Sequence, residues 1–155
     1  MIAKNWLKGM VAGFAATIVL SALMLMKQQM GLMPQLNPIE MLTNMAGAST
    51  PFVGWVIHFL IGTVLWGTLF AWLDPNLPGG SHWLKGVVFS IGAWVLMMIL
   101  PFPMSGAGFF GAQLGMMAPV MTLVLHLIYG AVMGGVYGLE RPESAHQFRA
   151  SHRSV

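Results

Sequence analysis

His58 and His126 each stand alone in an apolar run, within VIHFLIGTVLWG and VLHLIYGAVMGG. A fixed offset of 68 aligns the two stretches. It pairs Pro51 with Pro119, His58 with His126, Gly62 with Gly130, Val64 with Val132 and Gly67 with Gly135. Each histidine follows its proline by seven residues, about 10 Å along a helix. An ionisable side chain at that depth in hydrocarbon is costly and faces a bundle interior with a partner. A neutral imidazole there keeps one nitrogen lone pair for a metal or a hydrogen bond. Gly62 and Gly130 come four residues on, about 40° round the helix, and would clear a patch beside each ring. A flat macrocycle can lie against such a patch. The chemistry this predicts is a non-covalent b-type haem with His58 and His126 as its two axial ligands, Gly62 and Gly130 beside the ring, and Tyr129 as a nearby hydrogen-bond donor. Electron transfer near the outer face, with a redox partner, would follow from the cofactor. Gly67 and Gly135 lie about 180° from the histidines and are expected to serve close packing against the first and third spans.

Two other readings stay open. In one, both histidines are structural, bonded to backbone carbonyls or to each other. Their match then records duplication, and the chain is a non-redox accessory subunit of a larger membrane complex. In the other, copper is held by methionines of the outer side together with the two histidines, because thioethers are soft donors that suit Cu(I). The chain has 15 methionines, but Met30 and Met33 give the one M-x-x-M spacing of the outer loop, and methionine also fills irregular apolar gaps. No Ser-His-Asp set, paired carboxylate or H-E-x-x-H motif supports an enzyme.

These residues need helices in a bilayer to position them. Of the 155 residues, 57% are hydrophobic and 7% charged, against about 25% charged in a soluble domain. There is no cysteine, which excludes disulfides and thiolate metal sites. The few basic residues lie at segment ends, so nucleic-acid binding is not expected. Four apolar runs approach or exceed the roughly 20 residues a bilayer requires: Gly9 to Met26, Phe52 to Leu73, Trp83 to Pro101, and Met117 to Leu139. With the N-terminus inside, the inner segments hold Lys4, Lys8, Lys85, Arg141, Arg149 and Arg153, and the outer ones only Lys27. That bias predicts a multi-pass protein of the bacterial inner membrane with both termini cytoplasmic. Lys27 and Glu40 are the outer charges, and either is placed to touch a lipid head group.

WLKG occurs at Trp6–Gly9 and at Trp83–Gly86 and opens a span each time. The expected fold is an all-α, four-helix membrane bundle of two tandem hairpins related by a pseudo-twofold axis along the membrane normal. The first hairpin covers 1–73, the second 83–139, and 140–155 is a polar tail expected to be mobile. The first outer connection is the longer one. Asn37, Pro38 and Glu40 there make a helix start, predicting a short interfacial helix near 37–46 with Ile39, Leu42 and Met45 as its apolar face. A homo-oligomer is a further possible assembly.

The WLKG-opened hairpin, the PxxxxxxHxxxGxxxxG segment and the four spans resemble small bacterial inner-membrane proteins grouped as a family of unknown function. The resemblance covers roughly Trp6 to Leu139 and implies the span pattern, with no activity attached. The paired histidines are similar in concept to membrane cytochromes b, whose two-haem forms need four ligands where this chain has two histidines in its spans.

Overall fold

A run with no charge between Lys8 and Lys27 folds as one long helix, α1 (Ile2–Gln29). Its end is fastened by Lys27, which does not reach for solvent or a head group. The side chain is only 6% exposed, and Nζ donates to the carbonyls of Leu32 (3.1 Å), Met33 (3.1 Å) and Leu36 (2.7 Å). An ammonium has three protons, and all three are used to fold the next loop back over the helix. Asn37 then caps α2 (Pro38–Met45). Its side chain accepts from the Glu40 N–H, and its Nδ2 donates to Glu40 Oε2, both at 3.3 Å. Pro38 takes the first helical position, where a missing N–H costs nothing. The residues α2 buries are Ile39 and Thr43, while Met45 stays exposed. The expected Ile39–Leu42–Met45 face is therefore rotated, because Gly54 lets Ile39 and Thr43 approach its backbone so closely that a Cβ there would collide with both.

This computed structural model describes residues 2–139. The expected polar tail, 140–155, with His146 and His152, lies outside the described residues. The chain is an all-α bundle, with no strand among the described residues. The second span is built from α3 (Pro51–Phe59), a π-helical segment (Leu60–Trp66) and α4 (Gly67–Leu73). A short 3₁₀ turn, Asp74–Asn76, leads to α5 (His82–Ile99). Two prolines break the third span at Leu100 into the single turn α6 (Pro101–Met104), since proline removes a helical N–H and crowds the preceding turn. The last span is α7 (Met117–Leu139). Four helices, at Asn5–Gln29, Pro51–Asn76, His82–Met104 and Met117–Leu139, are long and apolar enough to cross a membrane. The chain is thus a multi-pass membrane protein by the length and composition of its helices.

Helix α1 packs on α4 and the π segment within its own hairpin, α5 packs on α7 within the other, and α1 against α7 joins the halves. Small residues make both hairpin seams, as membrane helices need where backbones meet. A Cβ on Gly9 would stand 2.7 Å from the Ala71 Cβ, and one on Gly13 would stand 2.6 Å from the Gly62 carbonyl oxygen. In the second hairpin a Cβ on Gly86 would stand 2.9 Å from the Gly134 Cα.

In the first hairpin Gly9 meets Gly67, whereas its WLKG counterpart Gly86 meets Gly130 and Gly134, so the two seams do not close on the glycines that the offset of 68 pairs. Gly67 and Gly134 are the buried seam glycines, whereas nothing lies within 4 Å of a Cβ on Gly135. The expected close packing against the neighbouring span is thus seen for Gly67, against α1, and not for Gly135. Phe70 and Tyr137, both buried, meet edge to face at 5.2 Å and pack the two hairpins together.

The connection between the hairpins is closed by a polar knot at the end of the bundle away from α2. Asp74 is buried and accepts from His82 Nδ1 at 2.8 Å, and Lys85 Nζ donates to the Asp74 carbonyl at 2.7 Å. Lys8 Nζ lies 4.5 Å from the centre of the Tyr137 ring, within the range of a cation–π contact.

Candidate functional site

His58 is carried by α3 two residues before the π segment, half-buried, with Trp55 and Phe59 edge-on to its ring at 5.8 Å each. Its Nε2 lies 3.1 Å from Ser21 Oγ on α1. The direction of that bond follows from Ser21, whose single hydroxyl proton is donated to the Thr17 carbonyl at 2.7 Å. Toward His58 the serine oxygen can only accept, so Nε2 carries the proton and Nδ1 the lone pair. The bond ties the first two spans together above the Gly13–Gly62 seam.

His126 takes a different partner. Its Nδ1 lies 2.8 Å from the Thr122 carbonyl, one turn earlier on α7. A carbonyl only accepts, so Nδ1 donates and Nε2 holds the lone pair. Thr122 itself donates to the Ala118 carbonyl at 2.8 Å and accepts from Trp94 Nε1 at 3.0 Å, which links the third and fourth spans. The two histidines therefore match in sequence frame but differ in tautomer and in what they hold.

The three residues expected to surround a macrocycle are all engaged in packing. A Cβ on Gly62 would collide with Thr17 Oγ1, and one on Gly130 with the Gly86 carbonyl and with Ser90. Neither glycine faces open space. Tyr129 is buried, and its hydroxyl donates to the Gly62 carbonyl at 2.6 Å. That carbonyl belongs to the π segment, where altered helix geometry frees backbone groups that neighbouring helices must satisfy in hydrocarbon. Thr63, the next residue, has a buried hydroxyl oxygen with no hydrogen-bond partner.

The methionines are gathered by the fold rather than by sequence spacing. Met33, Met41, Met97 and Met121 pack around buried Leu36, Met98, Phe102 and Ala107 at the α2 end. Met24 and Met121 pack with Ile39, Leu125 and Trp55. Among the described residues no three His, Cys, Asp or Glu side chains come together as a metal site. Sequence reasoning missed Ser21, Thr122 and Asp74, and it read Lys27 as an outer charge where its ammonium binds three carbonyls. Each is a polar group in or beside an apolar run, and that alone was the signal available.

Fold and site together define a small four-span bundle made of a duplicated hairpin with polar ties inside it. The chain belongs to the family of unknown function DUF6789, whose model matches residues 3–148. Comparison with curated proteins and with solved structures gives no match.

Proposed function

We propose that this chain is a non-redox accessory subunit of a larger complex in the bacterial inner membrane, with both termini cytoplasmic, and that His58 and His126 are structural. The observation that carries the reading is that the candidate site is already filled by the protein itself. Each imidazole spends one nitrogen on a partner in the bundle, and the glycine clearings beside them hold Thr17 and Ser90. Polar pairs of this kind act as glue between membrane helices. The surface adds a second support. Gly92 on α5 and Gly135 on α7 present uncovered backbone, with nothing within 4 Å of a Cβ at either, and bare helix backbone is what lets a neighbouring membrane helix approach closely.

One observation favours the haem b reading as the competitor. The His126 Nδ1–H bond to a backbone carbonyl is the arrangement that orients a metal-bound imidazole and leaves Nε2 for the iron. That reading requires His58 to release Ser21 or bind through Nδ1, and requires spans to part at Gly62 and Gly130. The test is an absorption spectrum of the chain purified after haem-replete expression, with native electrophoresis of solubilised membranes. A colourless protein that migrates in an assembly with other chains supports the accessory reading. A Soret band lost in His58→Ala and His126→Ala overturns it, and migration as a lone chain or a self-assembly removes the partner complex.

A further inference from the structure

An open cleft of about 480 Å³ lies between α2 and the broken end of the third span. Its floor is apolar, formed by buried Leu36, Phe102 and Ala107. Three thioethers line it. Met41 and Met45 stand one turn apart on α2, and residues at that spacing share a helix face. Met104, at the end of α6, lines the same cleft.

We infer that this cleft is a binding site for a soft monovalent cation, Cu(I) or its analogue Ag(I), with Met41, Met45 and Met104 as donors. Neutral thioethers prefer soft metals, and three of them leave the cation its single positive charge beside one carboxylate, Glu40, on the same rim. A harder dication would have to rely on the amide and hydroxyl oxygens of Gln35, Asn37, Asn44 and Ser105 with a single carboxylate to offset its charge. Glu40 is the sole acidic side chain of the cleft, its Oε2 accepts from Asn37 Nδ2, and no cluster of three His, Cys, Asp or Glu exists among the described residues.

The competing role for methionine is to fill space. Met98 plays that role below the cleft, where it is fully buried, and Met41 packs partly against the same core while also lining the cleft. Met45 and Met104 are 39% and 68% exposed at the rim, so they do not act as core filler. The inference does not use His58 or His126, and it stands whether those histidines are structural or not.

The test is an anaerobic titration of the full chain in nanodiscs with Cu(I) against a chromogenic Cu(I) chelator, repeated with Ag(I). One equivalent is expected to bind, and excess Zn²⁺ should not displace it. Met41→Leu, Met45→Leu and Met104→Leu conserve volume and leave the bundle intact, and each should weaken binding about tenfold or more. Met116→Leu, an outer methionine away from the cleft and 90% exposed, should bind as the parent does. Absence of bound metal, retention of binding in the triple leucine variant, or an equal loss in Met116→Leu would each overturn the assignment.

Discussion

Gly130→Ala separates a packing glycine from one that clears room for a ligand. An alanine Cβ there would stand 2.6 Å from the Ser90 Cβ, with the Gly86 carbonyl oxygen closer still. Carbon atoms pack at about 3.5–4.0 Å, so α5 and α7 must part by about 1 Å along this seam. Overpacking of this kind costs about 1–3 kcal/mol. The upper end applies, because a backbone carbonyl and a Cβ cannot swing aside as a long side chain could. Replacing glycine in a helix returns up to about 1 kcal/mol, which leaves a net loss of about 2 kcal/mol. Gly92→Ala is the matched control on α5. It makes the same chemical change where a Cβ meets nothing, so it should be neutral or stabilising by up to about 1 kcal/mol. Reversible unfolding in mixed micelles with a denaturing detergent reads both variants, through emission of tryptophans such as Trp94 on the displaced helix. If Gly130→Ala unfolds within about 0.5 kcal/mol of Gly92→Ala, the seam is not tight and the packing argument fails.

Two further outcomes follow from the polar groups. Ser21→Ala leaves the His58 N–H unpaired in the bundle and should cost about 1 kcal/mol. In a cycle with His58→Phe the second change should then cost little, and full additivity would show that the two side chains do not interact. Thr63→Val removes a buried hydroxyl that has no partner and should stabilise the bundle by about 1 kcal/mol; a loss of stability in the same unfolding assay would mean that the hydroxyl is bonded in the membrane.

The spans were legible because apolar runs of bilayer length leave little choice of structure. WLKG and the offset of 68 exposed the duplication. The short helix α2 announced itself through Asn37, Pro38 and Glu40, because capping is local chemistry. What the histidines bond to was not legible. Ser21 lies 37 residues from His58, and periodicity does not say which faces of two neighbouring helices meet. Lys27 looked like a surface charge because nothing local shows three carbonyls converging on it. Met41 and Met45 did not stand out as a pair, because the cleft they line is completed by Phe102 and Met104 of the broken third span. Gly62 was read as clearing room for a flat ring, and the space beside it holds Thr17.

The π segment has a consequence for how the two hairpins are compared or recombined. The second span carries a π segment, Leu60–Trp66, whereas the fourth is α-helical from Met117 to Leu139. The two hairpins also close on different glycines, Gly9 on Gly67 but its WLKG counterpart Gly86 on Gly130. An alignment without a gap therefore pairs the histidines but not the seam contacts. A symmetrised bundle made by writing one hairpin twice must keep the widened turn in both copies or in neither. The π segment thus marks a stretch where the repeats are no longer interchangeable parts.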